Sequence, residues 1–204
     1  MRYPSLEEVP NVNIEGSFRG RKVAPGTYSI VLNIGTVSET VEAIIKPNPL
    51  HDTTPVQFSE YDQFMSEVSA NVTEMHTMVN ALYEANKELE KLLPTLENQA
   101  LRSEGEQLKK RIDAWDEQMI QRKSIAYDDV VNFENKFTAQ YVFMMNQTES
   151  SLPRVTRAAR ERKQELDQQW SALKSEGQTL LNSAIPSYNQ KLWEAGIGAI
   201  PVRK

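Results

Sequence analysis

The chain has no cysteine, which excludes disulfides, thiol nucleophiles and cysteine-bound metals together while leaving the compartment open. Histidine is almost as scarce: the only two are His51 and His76, and the residue one helical turn beyond His76 is Asn80. A zinc site needs about three or four converging ligands, so no metal role is expected. There is no excess of basic residues, with 23 Lys plus Arg against 28 Asp plus Glu and a formal charge of -5. Nucleic acid and anionic lipid are therefore not expected partners. No stretch approaches the roughly 18 apolar residues that span a bilayer, so no membrane span is expected. The eight glycines are scattered, no Gly-x-Ser-x-Gly occurs, and Gly196-Ile197-Gly198 follows a helical pattern instead of opening one. Acidic clusters such as Asp113, Asp116 and Glu117, or Asp128 and Asp129, share one solvated face, whereas glycoside cleavage needs two carboxylates facing each other across about 5 to 10 Å. We expect no cofactor and no self-sufficient catalysis.

What is present is ordinary for a soluble globular protein, 39% hydrophobic and 25% charged over 204 residues. The composition changes class near Pro55. Proline and glycine are concentrated before it, and residues 56 to 93 contain neither. In the first part, Tyr28, Ile30, Leu32 and Ile34 fall on one face at period two, and Val41, Ala43 and Ile45 repeat the pattern after Gly35-Thr36. That is a β-hairpin, opened by Pro25-Gly26 and stopped by Pro47-Asn48-Pro49. With a further strand expected near Asn13 to Phe18, it amounts to a partial β-sandwich over residues 1–50.

The second part opens with Thr54-Pro55-Val56-Gln57, a capping box with proline at the first helical position, and residues 51–57 serve as linker and cap. Tyr61, Val68, Met75, Leu82 and Leu89 then recur every seven residues, with Phe64, Met78, Ala85 and Leu92 at the companion positions. This stripe predicts one helix to Leu93, where Pro94 interrupts. A second helix carries Leu101, Leu108, Ile112, Trp115 and Met119 as far as Arg122, and a third runs from a capping Asn132 to about Glu149. A fourth starts at Pro153, is kinked or divided at Pro186, and ends at Gly196. The fold class is thus mostly α: an antiparallel long-helix bundle over residues 58–196 with short connections, preceded by the β segment and followed by a tail at 197–204.

Several of these residues resemble a family. Arg2-Tyr3-Pro4, Ala24-Pro25-Gly26-Thr27-Tyr28 with its hairpin, the Asn48-Pro49 stop and a helical bundle closing with Asn189 to Ile197 are similar to the C-terminal region of large bacterial propeller proteins. These carry BNR or sortilin-like repeats and are often labelled glycosyl hydrolases. Where that family has Asp-Pro-Arg, this chain has Asn48-Pro49-Leu50. The resemblance implies an immunoglobulin-like or fibronectin-like origin for the β segment and a role as a non-catalytic module of a larger exported protein; a hydrolase-like fragment lacking its active site and a free-standing coiled-coil scaffold are the alternatives. The abrupt start at a strand-like Arg2-Tyr3-Pro4, with no apolar export signal, fits that expectation. The implied partners are proteins, either an upstream propeller domain or a second copy, and the implied location is periplasmic or extracellular.

Two surface features are candidates for partner docking. Arg154, Arg157, Arg160, Arg162 and Lys163 crowd the first turns of the fourth helix, where cations oppose the macrodipole and call for compensating anions. Salt bridges to neighbouring acids and a docking patch for an acidic partner both satisfy that requirement, and the docking reading singles out Arg154, Arg157 and Arg160. The run Tyr141-Val142-Phe143-Met144-Met145 is apolar around much of its helix, so Tyr141 and Phe143 join them as expected contacts.

Overall fold

The structure, a computed structural model, describes residues 1–150 and 152–201; the final three residues of the expected tail lie outside them. It is a helical bundle preceded by a two-stranded antiparallel sheet. Helix α1 spans Pro55–Leu92 and begins as the sequence predicts. The Thr54 hydroxyl accepts from the Gln57 amide at 3.3 Å, and the Gln57 side-chain oxygen accepts from the Thr54 amide at 2.9 Å. All five residues of its seven-residue stripe, Tyr61 to Leu89, are buried. At about 1.5 Å per residue α1 is about 57 Å long, so no single partner of ordinary length covers it.

Two shorter helices therefore lie end to end against it: α2 (Gln99–Met119) and α3 (Phe137–Ser150). Asn86 of α1 donates to Asp113 of α2 at 2.6 Å, and Asn71 of α1 donates to the Tyr141 hydroxyl of α3 at 2.7 Å. Numbers fall along α1 as they rise along α2 and then α3, so both run antiparallel to it. The third leg is α4 (Arg157–Thr179), a π-helical turn (Leu180–Ala184) and α5 (Ile185–Glu194) in unbroken succession. It runs parallel to α1: Arg160 meets Glu60 at 2.9 Å, Lys163 meets Glu67 at 3.0 Å and Lys174 meets Glu74 at 2.6 Å. The bundle is up, down and up again, with the middle leg in two pieces.

Pro186 divides the last leg without ending it: a π-helical turn precedes it and α5 continues through it. Having no N–H to donate, Pro186 follows a turn widened so that the Ile185 amide reaches back to the Leu180 carbonyl, five residues away. Two boundaries differ from expectation for local reasons. Asn132 does not cap α3: residues Tyr127–Val131 form a 3-10 turn, Asn132 closes it, and α3 starts at Phe137. Pro153 lies before α4, whose cap is the Thr156 hydroxyl accepting from the Ala159 amide at 3.1 Å.

The first 50 residues divide in two by packing. Residues 1–25 form a strap across α1 and α3, held to itself by Tyr3 N–H to Arg21 C=O at 3.0 Å and Leu6 N–H to Phe18 C=O at 2.8 Å. Val9 is buried in the bundle core, and Leu6, Val12, Ile14 and Phe18 pack against it. The strand expected near Asn13 to Phe18 does not form. Its amides bond outward to the bundle, Asn13 to the Ser124 carbonyl at 2.7 Å and Ser17 to Asn146 at 3.1 Å. The sheet consequently stays at two strands, β1 (Gly26–Ile34) and β2 (Val37–Ile45). The tail folds back instead of trailing: Asn189 bonds both backbone groups of Ile200, at 2.9 and 2.8 Å, and Ile200 is buried.

Candidate functional site

The hairpin is poorly covered: every residue from Ser29 to Glu42 is exposed. Its register pairs Ile30 with Val41 and Ile34 with Val37, and the two-residue turn places Gly35 at a φ of 59°, a value glycine adopts without the steric penalty of a Cβ. Tyr28, Ile30, Leu32, Ile34, Val37, Val41, Ala43 and Ile45 share one face. In a sheet of two strands this face, which also carries Glu39 opposite Leu32, has only the bundle to cover it, and the bundle covers only its base, where Tyr28, Ala43 and Ile45 are half-buried. Leu32 is 59% exposed, Val41 61% and Ile34 68%. Val31 and Ile44 add apolar surface to the opposite face, at 52% and 71%. Both strands are also edges, presenting unpaired backbone groups to any further strand.

The basic turns of α4 are mostly neutralised within the fold. Arg157 pairs with Glu161 at 2.6 Å, Arg160 with Glu60 at 2.9 Å, and Arg162 with Glu165 at 2.9 Å as well as with the Gln140 side chain at 2.6 Å. Lys163 bridges Glu67 and Asp167, at 3.0 and 2.6 Å. Burial alone would lower its pKa; the bonds to the two carboxylates outweigh that and raise it. The same contact with Lys163, helped by Gln63, lowers the pKa of Glu67. Arg157 remains 91% exposed on its side chain, so its pairing is a weak surface contact.

Tyr141 is fully buried and belongs to a polar network, not to a docking surface. Its hydroxyl donates to Asp167 at 2.5 Å and accepts from Asn71 at 2.7 Å, tying α3 to α1 and α4 at one point. Burial raises its pKa, and the bond to Asp167 raises it further. The helical period explains the misplacement: Tyr141 and Phe143 lie about 200° apart around α3, so one faces the core where the other faces out. Phe143 is 62% exposed.

Phe143 and Arg154 do meet at one place. They line a cavity of about 660 Å³ between α3 and the start of α4, together with Ala139, Met144, Ala158 and Ala159. Of the five predicted docking residues, these two share a site, Arg157 and Arg160 form exposed ion pairs, and Tyr141 is buried. No sequence signal distinguished Arg154 from its neighbours, because the acids that neutralise Arg160 and Lys163 lie about 100 residues away on α1.

His76 is buried beneath the strap, donating from Nδ1 to the Glu7 carbonyl at 2.7 Å and facing the Phe18 ring at 5.6 Å. Among the described residues no group of three or more His, Cys, Asp or Glu could hold a metal ion, and no helix is long and apolar enough to cross a membrane. No family model matches the chain, and no curated protein or solved structure is similar to it.

Proposed function

We propose that this chain is a non-catalytic structural and interaction module of a larger exported protein of the BNR or sortilin-like propeller type, and that its hairpin docks into β structure of the upstream domain. The observation that carries this is the hairpin itself: two nine-residue strands whose apolar face is uncovered while the bundle beside it has a closed core. Isolated two-stranded sheets are marginally stable in water, and a third strand or a packed face supplies what they lack. A β-sheet partner provides both. Arg2-Tyr3-Pro4 and Pro25-Gly26-Thr27-Tyr28, which carry the resemblance, lie in the strap and at the base of this hairpin.

The chain is to be mixed with the propeller-bearing polypeptide supplied separately, as wild type and as the triple variant Ile30→Lys, Leu32→Lys, Val41→Lys. The wild type is expected to co-purify in equal amounts and the variant to stay free, with the helical melting transition of the variant unchanged. Equal capture of both would remove the hairpin from any docking role. A concentration-dependent dimer of the wild type alone, lost in the variant, would replace the upstream partner by a second copy.

A further inference from the structure

We propose that the cavity between α3 and α4 binds a small amphiphile bearing one carboxylate, of the fatty acid class, with Arg154 holding the carboxylate. The inference is independent of the hairpin and of the module role. The cavity, about 660 Å³, lies within the usual range for small-molecule pockets, and its walls are mainly apolar. Phe143 and Met144 contribute one wall; Ala139, Ala158 and Ala159 leave the space between the helices unfilled.

Arg154 gives this apolar space its polar handle. The other arginines at the start of α4 each face a carboxylate, whereas the Arg154 side chain has no hydrogen-bond or ion-pair partner among the described residues. Its Nε is moreover shut off from solvent without an acceptor. A guanidinium held this way is left short of the hydrogen bonds it would have in water, and a carboxylate restores them in bidentate form. Arg162 also lines the cavity but is already engaged by Glu165 and Gln140. Glu15 also lines the cavity and disfavours a second negative charge, so a monocarboxylate fits better than a phosphate or a diacid.

The apolar part of the ligand follows from the walls. Along the apolar walls formed by Phe143, Met144 and Ala139 the backbone groups are used inside α3, so the amides of a bound peptide would find few partners there. A hydrocarbon tail brings none.

Calorimetric titration of the full chain with dodecanoate, below its micelle concentration, tests this. Saturable binding of one equivalent is expected, with dodecanol weaker by at least about tenfold because it lacks the charge-assisted bonds. Arg154→Gln should reduce dodecanoate to the level of dodecanol while leaving the melting temperature unchanged, since Arg154 has no internal partner to lose. The hairpin triple variant should bind as the wild type does. Equal binding by Arg154→Gln, loss of binding in the hairpin variant, absence of saturation, or tighter binding of a short apolar peptide through its C-terminal carboxylate would each overturn the proposal.

Discussion

Gly177 of α4 packs against the Trp115 indole so closely that a Cβ there would stand 2.9 Å from the ring carbon Cζ2. Trp115 is fully buried and its Nε1 donates to the Leu173 carbonyl at 2.8 Å, so the ring cannot retreat without breaking a bond to the same helix. Alanine in place of a helical glycine gains about 1 kcal/mol in propensity, while overpacking a core costs about 1–3 kcal/mol. Gly177→Ala is expected to destabilise the bundle by up to about 2 kcal/mol in denaturant unfolding. A gain in stability would show that the α2–α4 crossing is looser than this geometry.

His76 makes the strap sensitive to mild acid. Burial lowers its pKa below the usual value, more than the Glu7 carbonyl and the charges of Glu7 and Glu8 raise it. The folded state therefore binds this proton less readily than the unfolded chain. The stabilising difference is complete above about pH 6.5 and is lost as pH falls below that value. Thermal melts between pH 7 and pH 5 should show a decline that is shallower in His76→Phe. An identical slope in both proteins would assign the decline to other groups.

Excision and truncation should behave oppositely at the N-terminus. Gly26 and Ile45 are paired neighbours, so joining Pro25 to Lys46 through a short Gly-Ser link removes the hairpin without moving its ends. That protein is expected to melt at the temperature of the whole chain. Removing residues 1–53 instead takes Val9 from the core and the Phe18 ring from His76, and should lower the melting temperature substantially. Burying Val9 alone is worth about 1.5–3 kcal/mol. If the truncated chain melts as the full one does, the strap contributes nothing to the core.

Tyr141→Phe removes a hydroxyl that serves α1 and α4 at once and leaves Asn71 and Asp167 without it. A loss of about 1–3 kcal/mol is expected in urea unfolding.

Alkaline titration gives a separate measurement on the buried tyrosines. Burial pushes Tyr61 up to about 12, and Tyr141 and Tyr188 are raised as well. Stability from these phenols is complete below pH 10 and lost as pH rises above it. Phenolate absorbance at pH 10 to 11 should report only the more exposed tyrosines until the chain unfolds.

Much of this architecture was determined by sequence alone, through signals that need only neighbours within a few turns. The seven-residue stripe from Tyr61 to Leu89, the Thr54 to Gln57 capping box and the alternation from Tyr28 to Ile34 all act locally, and each reappears in the fold. Tertiary structure decided what depends on residues far apart in the chain. It set α4 parallel to α1, so that Glu60 and Glu67 pair with Arg160 and Lys163, a choice between ion pairing and docking that the sequence left open. It drew Tyr141 inward and left Phe143 outside, a choice fixed by which face of α3 meets α1 and α4. It spent the amides of residues 13 and 17 on the bundle instead of on a third strand, which leaves the hairpin uncovered. Local periodicity says that a face is apolar; only the packing of distant segments says whether anything lies against it.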